Sequence, residues 1–340
     1  MKKIPYRILL LLLLAITLTS CGLSTGLVSF EILEPASGTI SLENKKAVFI
    51  NRAPFHYSSI LAPTDEFQDP TSLLIIDTII INHLKSGIYN IVDQNVAGLS
   101  EKPDWIEMRR NDTVGVDVPL TNYETSEIFN DCQADIIFSL EKYSISMQIY
   151  QGFNPEEYNY VAEITVIPIF IWNIYLPGHP RPYNTYTAVD TLYWTNYAES
   201  ANEALNGEGM PHPIEMIKQV SNISGENYGS YIMPHWVKAD RKLYQGYEQK
   251  LRLSAEYSSN GDWENATKTW EDLLSSNNTI VKAKAAYNLA VWYEMNDDLD
   301  KALEYAKIAG KDIYSETIDD YISLLRQRIK NKTVLQEQLR

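Results

Sequence analysis

Two stretches near the C-terminus repeat one another, and no other feature limits so strongly what this chain can fold into. Asn260-Gly261-Asp262-Trp263-Glu264-Asn265-Ala266 returns as Asn296-Asp297-Asp298-Leu299-Asp300-Lys301-Ala302, a shift of 36 residues. Each copy follows a segment with apolar residues at helical spacing. Asp262 and Asp298 stand where a side-chain oxygen can cap the next helix. A unit repeating at this length is a helical hairpin that cannot bury its apolar face alone and must stack on its neighbours.

The repeat resembles the tetratricopeptide pattern, whose period is about 34 residues. Leu253, Tyr257, Ala266 and Trp270 fall on its packing positions in the first copy. Leu289, Ala290, Tyr293, Ala302 and Ala309 do so in the second. The pattern is broken at Ala306, where a large residue is usual, and the excess length is assigned to the turn near Asn277-Asn278. A last helix, Ile318 to Lys330, caps the stack. The resemblance implies a concave face lined by the first helix of each pair, which docks a protein partner. Lys250, Lys282 and Lys284 are the candidates on that face.

The chain begins with a leader. Lys2, Lys3 and Arg7 precede the apolar run Ile8 to Leu18, which is too short to span a bilayer and fits a cleaved signal peptide over residues 1–20. Leu18-Thr19-Ser20-Cys21 resembles the lipobox of bacterial lipoproteins. That resemblance implies acyl chains on Cys21 and a membrane as first partner; each buried methylene contributes roughly 0.8 kcal/mol to anchoring. Gly22-Leu23-Ser24 lacks an acidic surface-export signal, so the expected location is the periplasmic leaflet of the outer membrane. The formal net charge is −15, and removing the leader's cations makes it more negative. Nucleic acid and anionic lipid surfaces are thereby excluded as natural partners. With Cys21 consumed, Cys132 has no disulfide partner and reads as a small buried thiol at a helix-to-strand junction.

Residues 21–198 read as an α+β domain. Ala47 to Ile50 is a short strand; Thr71 to Lys85 is a helix by its length and spacing, stopped at Gly87; Tyr89 to Val92 is the next strand. A short helix near Glu124 to Asp131 leads into a long strand in which Tyr143, Ile145, Met147 and Ile149 alternate with polar residues. Turns at Gly152-Phe153-Asn154-Pro155 and Pro177-Gly178-His179-Pro180 separate it from strands Tyr158 to Tyr175 and Tyr183 to Trp194. The result is a strand–helix–strand unit beside an antiparallel meander. Residues 199–233 read as a polar connector with one or two short helices, and residues 234–340 as an all-α, tetratricopeptide-like domain.

Ser86-Gly87-Ile88-Tyr89-Asn90-Ile91-Val92-Asp93 and Ala134-Asp135-Ile136-Ile137 resemble segments in the N-terminal domains of TolB-like and curli-secretion-type envelope proteins, which implies a fold and nothing more. The lipobox, Tyr228-Gly229, Pro234-His235-Trp236, Arg241, the Asp262-Trp263 corner and Asn288-Leu289-Ala290 resemble a family of Bacteroides-type lipoproteins known as domain of unknown function 6340, with C-terminal tetratricopeptide repeats. That resemblance would cover nearly the whole mature chain and carries no activity with it.

No catalytic constellation stands out. His56, His83, His179, His212 and His235 show no metal-binding spacing on one helix, and Gly207-Glu208-Gly209 lacks the third glycine of a phosphate-cradling loop. There is no G-x-S-x-G elbow. The reading is therefore a non-enzymatic lipoprotein without a cofactor, docking an unidentified envelope protein through its repeats. The alternative is a surface glycan-binding protein of an uptake system, with Trp172, Tyr175, Tyr183, Tyr186, Tyr193 and Trp194 stacking sugar rings; an unrecognised hydrolase comes last. Asp77-Thr78-Ile79, Asp112-Thr113-Val114 and Asp190-Thr191-Leu192 match an Asp-Thr-apolar pattern of O-glycosylation, and Thr113, in a polar loop, is the acceptor with room to be modified.

Overall fold

The computed structural model describes residues 25–38, 40–54, 60–61, 70–109, 118–312 and 316–339. Cys21 and Thr113 lie outside them. The chain divides into two units. One is mixed, comprising Glu34–His235 with Val334–Arg340. The other is mainly helical, comprising the chain up to Leu33 and Trp236–Thr333.

The mixed unit is a seven-stranded sheet in the order β4-β2-β5-β6-β7, with β3 beside β5 and β8 beside β6. The first strand of the chain, β1 (Thr25–Glu34), lies outside it. Strands β2 (Ala47–Asn51), β3 (Ile60–Leu61) and β4 (Asp104–Glu107) are short and run parallel to their neighbours; β2 is flanked by β4 and β5. Helix α1 (Pro70–Val92) makes the long crossover that a parallel arrangement requires. After α2 (Asn122–Cys132), the long antiparallel pair β5 (Ile136–Asn154) and β6 (Asn159–Tyr175) forms the spine of the sheet. On β5, Tyr143, Ile145 and Met147 are buried, as their alternation predicts.

Four expectations change here. Helix α1 does not stop at Gly87, and Tyr89–Val92 is its last turn rather than a strand. Gly87 is a crossing point, since a Cβ there would collide with the Asn222 carbonyl, and one at Gly225 with the Leu84 carbonyl. The helix it meets, α4 (Pro213–Ile232), spans 20 residues of the expected connector, behind the short α3 (Ala201–Asn206). Its buried face includes Ser221, Ser224, Gly225 and Gly229, small residues that hide an interior helix behind a polar composition. The expected strand Tyr183–Trp194 is two strands, β7 (Asn184–Val189) and β8 (Leu192–Ala198), both paired with β6. The break falls at Asp190, whose carboxylate accepts hydrogen bonds from Ser224 and Asn227 of α4.

The main core lies on one sheet face under α1 and α4, around Phe49, Phe138, Phe170 and Trp172. A smaller core on the other face packs Val48, Ile50, Ile137 and Tyr175 against Leu120 and Ile128. A capping box opens α2: Thr121 Oγ1 accepts from the Glu124 amide, and Glu124 accepts from the Thr121 amide at 2.7 Å. Gln338 also belongs to this unit, its side-chain amide bonding the backbone of Ala36 and Gly38.

In the second unit the fourth correction appears: the chain beyond residue 234 is not all helical. His235–Tyr244 is a strand, β9, paired with β1. Lys238, Asp240 and Lys242 alternate with the inward Ala239 and Leu243, the period of a one-sided strand. Five helices follow: α5 (Gln249–Ser259), α6 (Trp263–Leu273), α7 (Thr279–Met295), α8 (Leu299–Asp312) and α9 (Glu316–Gln338). No helix among the described residues is long and apolar enough to cross a membrane.

Candidate functional site

The two helical hairpins, α5–α6 and α7–α8, turn in the same way. Gly261 (φ 77°) and Asp297 (φ 57°) occupy equivalent left-handed positions. The next amides, of Asp262 and Asp298, donate to the Tyr257 and Tyr293 carbonyls at 2.9 and 3.0 Å. Both aspartates then cap a helix, accepting from the Asn265 and Lys301 amides. Of the proposed packing residues, Ala266, Trp270, Leu289, Ala290, Ala302 and Ala309 are fully buried. Tyr257 and Tyr293 are half-buried against the same core. Trp270 also donates its indole N–H to Ser254 Oγ at 2.8 Å. Ala306, small where the pattern wants bulk, is fully buried too. Leu253 is different: it faces outward at 39 % exposure, because α5 turns Leu251 and Ser254 to the core instead.

The lysines divide. Lys250 pairs with Asp272 at 3.3 Å on an exposed surface, whereas Lys284 donates to the Gln245 carbonyl at 3.2 Å and Lys282 is half-buried. Helix α7 is enclosed almost all round, so no open face runs along it. Part of that face is occupied by the chain itself. The Asn288 side-chain amide grips the Tyr244 backbone from both directions, accepting its N–H at 2.7 Å and donating to its carbonyl at 2.8 Å. The last residue of β9 is thus fixed against α7.

Below that clamp is a buried charge cluster. Glu294 is inaccessible and accepts from Arg241 (2.9 and 2.8 Å), Arg328 (2.7 Å) and the Tyr321 hydroxyl (2.8 Å). Burial opposes the charge on Arg241, and the Glu294 carboxylate more than offsets it, raising the guanidinium pKa. Burial and then Glu294 push the Tyr321 hydroxyl well up. The cluster ties β9, α7 and α9 together. It is saturated with partners, which suits structure better than chemistry.

The mixed unit holds two comparable networks. Arg52 donates from Nη1 to both carboxylate oxygens of the buried Glu141, next to Tyr175, whose hydroxyl is pushed up to about 12 by burial and by Glu141. Arg109 forks onto Asp77, which also accepts from the Tyr143 hydroxyl. Among the described residues no group of acidic, histidine or cysteine side chains could hold a metal ion. The described histidines are dispersed; His212 caps α4 by accepting from the Ile214 amide, and His235 lies against the Met233 carbonyl. Burial, then Asp131, pushes the Cys132 thiol up, away from a reactive thiolate.

The expected sugar-stacking cluster is not one surface. Trp172 and Tyr175 are buried on opposite sheet faces, and Trp172 is stacked on Tyr228 at 4.0 Å. Tyr186 and Trp194 pack on the main core, leaving Tyr183 and Tyr193 exposed on separate segments.

Residues 252–327 match the family model of domain of unknown function 6340. The match bears out that resemblance for the helical hairpins but not for nearly the whole mature chain, because residues 106–244 match a separate model, domain of unknown function 8603. The first model opens within α5, and the second closes at the end of β9, so Tyr228-Gly229, Pro234-His235-Trp236 and Arg241 fall to the latter. No curated protein matches the chain. Among solved structures, one described as a neuraminyllactose-binding hemagglutinin homolog from Helicobacter pylori is similar at 5 % identity and a TM-score of 0.32, over 58 % of this chain and 87 % of that one. A hypothetical protein from Chlamydia trachomatis is similar at 11 % identity and a TM-score of 0.24, over 54 % and 98 %.

Proposed function

We propose that this is a non-enzymatic, lipid-anchored envelope protein whose helical unit is a short tetratricopeptide-type array that docks a protein partner. The anchor is carried by the lipobox before Cys21, and the periplasmic leaflet of the outer membrane is the expected side. The observation that supports docking is an inequality between the two repeats. Leu253 and Leu289 are equivalent through the 36-residue shift, yet Leu289 is fully buried and Leu253 is 39 % exposed. The second copy's first helix is enclosed, partly by the chain's own Tyr244 backbone. The first copy's helix keeps an apolar residue outward beside the exposed Lys250. Docking therefore belongs to α5, with Lys250 and Leu253 at its centre, and not to Lys282 or Lys284.

The test is Leu253→Asp in the full chain, which removes an outward apolar contact at little cost to the core. Partners recovered from crosslinked envelopes should be lost while the melting temperature stays put. Recovery of every partner by a folded, membrane-bound Leu253→Asp protein overturns the assignment. The anchor is tested separately by Cys21→Ala, which should remain unprocessed or leave the membrane fraction. Protease shaving of intact cells should leave the native protein uncut.

A further inference from the structure

The far end of the β5–β6 hairpin carries a feature that the helical docking reading does not use. The turn Pro155–Tyr158 joins the two strands, which pair to their last residues, Asn154 with Asn159. Three aromatic side chains crowd this tip: Phe153 (48 % exposed), Tyr158 (85 %) and Tyr160 (36 %). Phe153 meets both tyrosine rings edge-to-face, at 5.7 and 5.1 Å. The strand register puts Tyr150, Tyr193 and Tyr197, all more than half exposed, on the sheet face opposite to Phe153 and Tyr160. The three tip rings alone touch one another and form a single exposed cluster. An exposed apolar surface of that kind marks a place of contact.

The charge around it is one-sided. Residues 147–166 and 192–209 form this end of the sheet and its adjoining short helix. They contain Glu156, Glu157, Glu163, Glu199, Glu203 and Glu208 and not one Lys, Arg or His. Phosphates, anionic lipids and nucleic acid are repelled there. Ring geometry selects further. The tip rings are turned edge-to-face on each other, so they form a knob rather than a flat platform for a sugar ring.

We propose that the β5–β6 hairpin end is a docking knob for a protein with a basic surface, seating Phe153, Tyr158 and Tyr160 in an apolar recess rimmed by Lys or Arg. Aromatic anchors inside a complementary charged rim are how protein interfaces combine affinity with orientation. The proposal makes no use of α5 and stands or falls without it.

The experiment places a photo-crosslinking benzoylphenylalanine at Tyr158 of the full chain in native envelopes, with Tyr247, which is 86 % exposed, as the control position. The expected result is a protein adduct specific to position 158. Its crosslinked peptide should lie among Lys and Arg residues. Its yield should fall on the order of tenfold as added salt screens the rim. The paired variant Glu156→Lys, Glu157→Lys should abolish the adduct without changing the melting temperature. So should Phe153→Ser, which keeps the charge and removes the anchor. The proposal is overturned by adducts on lipid, glycan, a second copy of this chain or an acidic peptide. It is equally overturned by a yield no higher than at Tyr247, or one indifferent to both variants.

Discussion

Replacing Glu294 by Ala should be the most damaging single polar change in the helical unit. The carboxylate is inaccessible to water and accepts four hydrogen bonds, three from guanidinium groups and one from a tyrosine hydroxyl. Its removal strands two arginines whose side chains are only 12 % and 10 % exposed. Breaking a buried ion pair by deleting one partner costs about 3–5 kcal/mol, because the surviving charge has lost its solvation and found nothing in exchange. Here the survivors are like charges. Their slight exposure, and Asp297 at 3.8 Å from Arg328, let water and a neighbour recover part of the loss, which places Glu294→Ala near 3 kcal/mol. Arg241→Ala should cost less, since Glu294 keeps Arg328 and Tyr321. Tyr321→Phe should cost least, about 1.5 kcal/mol for one bond to a charged acceptor. Urea denaturation gives the totals, and peptide-resolved hydrogen exchange should localise the loss of protection to residues 236–333. A Glu294→Ala cost below that of Tyr321→Phe would refute the view that stranded charge dominates here.

Three further outcomes are expected. Gly87→Ala or Gly225→Ala should each destabilise the mixed unit by about 3 kcal/mol, measured by chemical denaturation, because a Cβ at either position meets the backbone of the crossing helix. Trp270→Ala should cost about 3–5 kcal/mol by the same assay, for a fully buried indole whose loss leaves a cavity. The capping box should make stability pH-dependent. Bonds from the Thr121 backbone and hydroxyl hold the Glu124 carboxyl below its ordinary value, so its contribution is complete above the unfolded pKa and fades as pH falls through the depressed one. Melting temperatures across acid pH should lose that component in Glu124→Gln.

Wherever a local rule was sufficient, the sequence was readable. The turns at Asp262 and Asp298, the helix after Thr121 and the alternation of β5 need only neighbours in the chain, and they form as expected. Glycine misled in α1 because the residue that ends one helix also lets two helices touch; without Gly225 on the other side the two uses look alike. Helix α4 was hidden because Ser221, Ser224, Gly225 and Gly229 interrupt Met216, Ile217, Val220, Tyr228 and Ile232 on its buried face. β9 is legible in the Val237–Leu243 alternation, although the repeat that follows it is the stronger pattern. The self-bound Tyr244 segment could not be foreseen, since Asn288 and Tyr244 are 44 residues apart and only the fold makes them partners. Leu253 occupies a packing position in the pattern, and its exposure reflects what does not cover it.

The pairing of β1 with β9 sets a distance that matters for the whole molecule. Strand β1 starts at Thr25, four positions after Cys21, and down to Leu33 it belongs to the helical unit. Fully stretched, four residues reach about 14 Å. A chain acylated at Cys21 therefore has a leash shorter than the diameter of one small domain. The helical unit would be held against the headgroups, where the accessible volume is a thin layer. A partner confined to the same layer meets it by diffusion in two dimensions, and even a modest affinity in solution becomes substantial occupancy at the membrane.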